Sequence, residues 1–336
     1  MGRDGKITIK DIAEMAGVSK TTVSFYLNGK TEKMSEETRM KIQEIILRTN
    51  YRPNVAARTL NQKKTNLIGV IIGDITNTFS NKIVKGIEDT YRKHGYQTLI
   101  GNSGYDPKQE SSYVNRMLTL GADGFIIQPT PGFHETSKLI TDLKKPFVYF
   151  DSKVYEDDSF WVKTDNYTAT HKAMQELIAR GYQNFLMIGA DPSKLSTRIE
   201  RSSGFIDCIT ESGLGFQSLE IRDGEINHAD ILSFVKRHLK DTEATLVYVP
   251  NCWALPEVCD ALQPLRDLMP QKLGIIGFDN TEWASFSSPR ITTIVQPAYE
   301  EGQKAAEILI DQIEERYEEK SHQTLKCSVH WSESTL

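Results

Sequence analysis

At 336 residues the chain can form two or three domains with sizeable cores, and its 39% hydrophobic and 25% charged content is that of a globular protein, not a disordered or fibrous one. No apolar run approaches the ~20 residues that span a bilayer, and MGRDGKITIK lacks the apolar stretch of a secretory leader, so a cytoplasmic protein with no membrane attachment is expected. The net charge of −5 conceals a polarity, because residues 1–64 hold 13 Lys or Arg against 7 Asp or Glu while the rest hold 27 against 38. A basic head on an acidic body is what binding to phosphates asks of the head.

The head opens with TIKDIAEMAGVSKTTVSFYLNGK. Thr8 can cap a first helix, with Asp11 standing in for the usual Glu of a capping box. Ile9, Ile12, Ala13 and Ala16 give that helix one apolar face, and Gly17 ends it in the left-handed conformation. Ser19 caps a second helix, Lys20 to Leu27, which Asn28-Gly29 stops. Two short helices around a Gly-containing turn form the helix-turn-helix pattern, whose second helix enters the DNA major groove. Val23 and Leu27 point inward, leaving Lys20, Thr21 and Ser24 to point out. A third helix runs from Ser35 to about Thr49 with Met40, Ile42, Ile45 and Ile46 inward, and Tyr51 and Pro53 end it. NVAARTL (54–60) reads on its own as a linker, too short to hold a helix alone.

From Leu67 the pattern becomes strands alternating with helices. LIGVIIG (67–73), TLIGN (98–102), FIIQP (125–129) and PFVYFD (146–151) are strands, with helices over Phe79–His94 and from Pro107 to Gly121. The rhythm restarts at Asp165 with a helix to Arg180, strand FLMIG (185–189) and a helix from Thr197 to Ser212. Strands LEI (219–221), TLVYV (245–249) and LGIIGF (273–278) follow. This alternation predicts parallel sheets covered by helices in two lobes, with a ligand cleft beyond the carboxyl ends of the strands. EERYEEK (314–320) reads as a solvated helix end.

Enzymatic chemistry has little support. No P-loop, G-x-S-x-G, H-E-x-x-H or strand-borne G-x-G-x-x-G occurs, and the 7 histidines are scattered, His171 lying on a helical surface pattern. The 4 cysteines, Cys208, Cys252, Cys259 and Cys327, show no metal spacing and read as free thiols. Asp151, Asp165 and Asp279 sit at strand ends without a base-orienting partner. No cofactor or metal is expected.

TIKDIAEMAGVSKTTVSFYLNG, then YRPNVAARTL, then the two-lobed body resembles the lac repressor family of bacterial transcription regulators over nearly the whole chain. The resemblance implies an all-α helix-turn-helix headpiece (1–52), a hinge helix (53–64) and a two-lobed α/β body like periplasmic binding proteins (65–336). The chain should cross between lobes three times, giving a first lobe of about 65–161 and 291–320 and a second of about 162–290 and 321–336. Thr8, Ser19, Lys20, Thr21, Thr22, Ser24 and Asn28 are the implied operator contacts. Asn54, Ala57 and Leu60 fall where paired hinge helices lie in the minor groove and a leucine wedges between base steps. Where many relatives carry Arg on the second helix this chain has Phe25, which alters base choice at one operator position.

For the effector, the resemblance implies a cleft lined by Phe79, Ser80, Asp151, Arg201, Asn251 and Asp279, with Trp283 stacking on a sugar face or packing in a core. Cys252 stands where the family usually has Asp, and Pro256 where Gly is common. The expected partners are a near-palindromic double-stranded operator, a sugar or sugar-acid effector, and a second copy of the chain, as a homodimer or tetramer. Segment 277–297 resembles regulators of uronate and keto-sugar-acid catabolism, and Arg198, Lys163 and Lys194 would suit a carboxylate or phosphate, or else be ordinary exposed charges. The alternatives are a periplasmic-type sugar-binding protein, a two-lobed enzyme, and a global regulator driven by a partner protein.

Overall fold

The computed structural model describes residues 7–27, 29–51, 64–154, 159–316 and 322–336. The chain divides into two compact units between Thr65 and Asn66.

In the first unit α1 (Ile9–Ala16) and α2 (Lys20–Leu27) form the two-helix motif, and α3 (Glu36–Thr49) closes a core of Ile12, Ala13, Ala16, Val23, Ile42 and Ile45. Each cap is the one its sequence calls for. Thr8 and Asp11 exchange bonds in a capping box, Gly17 sits at φ 69°, and the Ser35 hydroxyl accepts from the Thr38 amide. Met40 departs from expectation, being 57% exposed. Two residues before Ile42 it lies about 200° round the helix, on the flank away from the core.

The second unit runs β1 (Leu67–Ile72), α4 (Thr78–His94), β2 (Gln97–Asn102), α5 (Pro107–Thr119), β3 (Gly124–Ile127), α6 (His134–Asp142), β4 (Phe147–Phe150) and β5 (Phe160–Thr164). It continues with α7 (Asn166–Ala179), β6 (Tyr182–Ala190), α8 (Ser196–Glu211), β7 (Phe216–Ile221), α9 (His228–His238), β8 (Ala244–Val249), α10 (Leu255–Ala261), β9 (Leu273–Phe278) and α11 (Thr281–Phe286). Last come β10 (Thr292–Val295), α12 (Ala298–Ile313), β11 (His322–Leu325) and β12 (Ser328–His330). Two six-stranded sheets result, ordered β11-β5-β4-β3-β1-β2 and β12-β10-β9-β8-β6-β7. Among the described residues every pairing of these strands is parallel except β10 with β12. Apolar side chains fill both faces of each sheet, as buried parallel strands require.

The lobe boundaries differ from expectation in two places. Ile291 to Val295 do not return to the first lobe: β10 extends the second sheet beside β9, and Ile291 and Ile294 are buried in second-lobe cores. His322–Leu325 belongs to the first sheet, parallel to β5, and only β12 finishes the second. Both follow from edge pairing, since β9 and β5 would otherwise expose unpaired backbone.

The chain therefore passes between lobes at Asp165, at Gln296–Pro297 and at Lys326–Cys327. These crossings are tied side by side. The Thr164 hydroxyl donates to Gln296 Oε1 at 2.7 Å, the Asp165 amide to the Leu325 carbonyl at 3.0 Å, and the Cys327 amide to Asp165 Oδ1 at 2.7 Å.

α12 packs on α4 at backbone distance. A Cβ on Gly302 would lie 2.1 Å from the Ile83 carbonyl oxygen, and one on Gly86 2.1 Å from that of Tyr299. Gly302→Ala should force the helices apart and destabilise the body by roughly 1–3 kcal/mol; equal denaturation midpoints for mutant and parent would show that the contact is loose.

Candidate nucleic-acid interface and ligand cleft

On the headpiece, the Ser19 hydroxyl accepts from the Thr22 amide at 3.1 Å and pairs with the Thr22 hydroxyl at 2.9 Å. Both residues thus hold the start of α2 in place. Lys20 and Thr21 are exposed and Ser24 is half-buried. Thr8 is exposed at the start of α1, and its amide and hydroxyl, donating to Asp11, hold that carboxyl below its ordinary pKa. Asn28, Asn54, Ala57 and Leu60 lie outside the described residues. Phe25 is half-exposed and, unlike its neighbours Tyr26 and Leu27, takes no part in the headpiece core.

In the body, four of the expected effector residues converge as buried groups at strand ends and on α8. Arg201 is 7% exposed; its Nε donates to Asn166 Oδ1 at 2.8 Å, its Nη1 to the Pro250 carbonyl at 3.0 Å, and its guanidinium lies 3.9 Å over the Phe278 ring. Asp279 stands at the end of β9 with φ 48°, and Gln296 donates to it from both backbone and side chain. Asp151, past β4 with φ 60°, accepts from the Gln128 amide group at 2.7 Å. Asn251 accepts from the Ala190 amide at 2.9 Å. Positive φ is uncommon outside glycine, and here it occurs at two strand-end aspartates of one site.

Ser80 is fully buried, and neither its hydroxyl nor Asp151 Oδ1 has a hydrogen-bond partner among the described residues. Phe79 packs in the first-lobe core, and Trp283 packs half-buried against the second-lobe core, which is the packing role for that residue. Across the cleft the Asn77 side chain donates to the Cys252 sulfur at 3.4 Å, the Thr78 hydroxyl to Asn280 Oδ1 at 3.4 Å, and Lys82 pairs with Glu282 at 3.6 Å. Burial pushes the Cys252 thiol up to about 11, so it meets Asn77 as a neutral group.

The acids outnumber the cation. Burial raises the pKa of Asp151, of Asp279 and, most of all, of Glu301, and the Arg201 guanidinium opposes each rise. Glu301 is fully buried on α12; its Oε1 accepts from the Asp151 amide at 2.7 Å, while Oε2 has no partner among the described residues. Burial also works against Arg201's charge, but Asp151 and Asp279 more than offset it. The cations read as carboxylate partners are already engaged: Arg198 and Lys194 with Asp223 at 2.9 and 3.1 Å, and Lys163 with Glu200. A cavity of about 370 Å³ lined by Lys163, Thr164, Asn166 and Glu200 borders this cluster through Asn166 without including Asp151, Asn251 or Asp279. No group of acids, His or Cys able to hold a metal occurs among the described residues.

Gln128, Asn166, Gln296 and Glu301 join the cluster without having been expected there. The signal for the two glutamines was a polar residue closing an apolar strand, and for Asn166 the Asp-Asn pair at the first crossing.

A helix-turn-helix unit and a two-lobed α/β body with a polar cleft together define a ligand-responsive DNA-binding protein. Residues 8–54 match the bacterial regulatory proteins of the lacI family, and residues 65–251 the periplasmic binding proteins and sugar-binding domain of that family. The chain belongs to the lacI family and is a transcription regulator, not an enzyme. It is 33% identical to the probable regulator EndR of Paenibacillus polymyxa (95% of this chain, 93% of the relative). It is 31% identical to the regulator KdgR of Bacillus subtilis (92% of each) and to catabolite control protein A of Priestia megaterium (98% and 99%). The fold matches the lac repressor dimer bound to operator and the anti-inducer ONPF with TM-score 0.84 at 21% identity, covering 98% of this chain and 99% of that one.

A carboxyl whose pKa rises on folding binds its proton more tightly in the native state, so native stability falls as pH climbs from the ordinary glutamate value of 4.5 toward the raised one. Glu301→Gln keeps an acceptor for the Asp151 amide and removes this penalty. It should raise the melting temperature at pH 7–8 and flatten the fall in stability with pH above 4.5; a lower melting temperature at pH 7 would mean that Glu301 is ionised and needed.

Proposed function

We propose that this chain is a repressor of a carbohydrate-catabolism operon, controlled by a sugar or sugar acid in the cleft between its lobes. The observation that carries the reading is the convergence of Asp151, Arg201, Asn251 and Asp279, from four separated segments, into one buried polar cluster. Carboxylates and an asparagine oxygen accept from hydroxyls and a guanidinium donates, which is the complement of a polyhydroxyl ligand. Arg198, Lys194 and Lys163 are paired with acids, and Arg201 already faces Asp151 and Asp279, so the cluster favours a ligand rich in hydroxyls. The relatives KdgR and EndR are named as transcriptional regulators, which supports the regulatory part of this reading.

In this reading a homodimer lays α2 of each protomer in successive major grooves of a near-palindromic operator. Lys20, Thr21 and Ser24 meet base edges or nearby phosphates, Thr8, Thr22 and Asn28 set the backbone register, and Asn54, Ala57 and Leu60 belong to the paired hinge. The effector favours one lobe arrangement, and only its differential affinity for the two arrangements moves operator binding. A second reading, a regulator answering to a partner protein, draws on the 31% identity with catabolite control protein A. Operator affinity that responds to a purified protein fraction and to no small molecule would favour it.

A thermal-shift screen of sugars, sugar phosphates and sugar acids identifies the effector, because a ligand of the folded state alone raises the melting temperature. Arg201→Ala and Asp279→Ala should each cost ~2–4 kcal/mol of effector affinity by calorimetry, roughly one to three decades, with ligand-free operator affinity nearly unchanged. Undiminished ligand affinity in both would put the pocket elsewhere. Leu60→Ala should reduce operator bending and specific affinity by losing the apolar wedge, while leaving effector affinity intact; unchanged bending would make residues 54–60 a plain linker.

A further inference from the structure

The core-facing side of α2 is set by Val23, which is fully buried, and by Tyr26 and Leu27, which pack on the headpiece core. At about 100° per residue, the direction opposite those three falls between Thr21 and Phe25. Phe25 therefore shares the outward face of the recognition helix with Thr21, one turn further on. An aromatic ring there contributes nothing to the headpiece core, yet it is held: the exposed Lys33 ammonium lies 5.0 Å from the ring centroid. The unit around it is strongly cationic, with 13 Lys or Arg against 7 Asp or Glu over residues 1–64, which suits a polyanionic partner.

We propose that Phe25 reads a thymine 5-methyl group in the major groove, and that this chain selects its operator partly by that methyl. This rests on the reading that α2 enters the major groove. The major groove offers one apolar feature, the thymine methyl, whereas the other base edges present donors and acceptors that a phenyl ring cannot pair. A ring over guanine or cytosine would strip water from polar edges with nothing in return. Phe25 thus favours thymine both by contact and by penalty against the alternatives. Lys33 keeps one face of the ring covered by its ammonium, leaving the rest of the ring for the base.

The test starts by selecting operators for the full chain from a randomised duplex library. Each thymine of the preferred half-site is then replaced in turn by deoxyuridine, which deletes only the methyl. One position should lose about fourfold in affinity per half-site, the value of a buried methyl. Phe25→Ala should bind the thymine and deoxyuridine operators equally. Phe25→Leu should keep the discrimination, and Phe25→Arg should move the preference at that step toward guanine. The slope of affinity with salt should be the same for parent, Ala and Leu, because no phosphate contact changes. Indifference of the parent to every deoxyuridine substitution would overturn the inference while leaving DNA binding in place, as would the same loss in Phe25→Ala. Failure to select any operator would overturn the assignment of α2 to the major groove and the inference with it. Should Phe25→Ala unfold, the Leu and Arg variants decide the matter alone.

Discussion

Arg201 is a full positive charge held at 7% exposure, and the cleft is arranged around that fact. Taking an ion out of water costs several kcal/mol, which only nearby charge and complete hydrogen bonding can offset. Asn166, the Pro250 carbonyl and the Phe278 face hold the guanidinium in position, and Asp151 and Asp279 supply the counter-charge. A third acid, Glu301, exceeds what one guanidinium can balance, and burial raises its pKa well above the ordinary carboxyl value. The protonation of all three acids is therefore coupled through one side chain.

The fold was largely legible because its signals are periodic. Buried parallel strands announce themselves as apolar runs, and the headpiece caps are written in Thr8, Gly17, Ser19 and Ser35. What escaped was the β5–β11 side of the first sheet. β5 (FWVKT) ends in Lys163 and Thr164, and β11 (HQTL) has Leu325 as its one apolar residue, so no long apolar run marks them. Their pairing is decided by a neighbour distant in sequence, which local patterning cannot see.

The site was legible only in part, for a different reason. Arg201 and Asp279 on their own look like a helix-surface cation and a turn acid; the family resemblance picked them out. Gln296, Asn166 and Gln128, which hold Asp279, Arg201 and Asp151 in place, are uncharged and carry no motif, so their roles emerge only when strands far apart in sequence end side by side. Glu301 was missed because a glutamate beside another, Glu300, in an amphipathic helix normally faces solvent. The expected carboxylate-binding cations were overestimated because pairing with Asp223 and Glu200 is invisible before the chain folds.

The three crossings, bonded to one another through Thr164, Gln296, Asp165 and Cys327, act mechanically as parallel straps on a door. Straps fixed side by side bend readily about the one axis that runs across them, and they resist both twisting and sliding. The lobes then possess a single soft degree of freedom instead of a free joint. Two of the straps are gripped by cleft residues, Asn166 by Arg201 and Gln296 by Asp279. Any force on either residue is thus applied at the door's pivot, where the least displacement produces the largest swing at the far edge of a lobe.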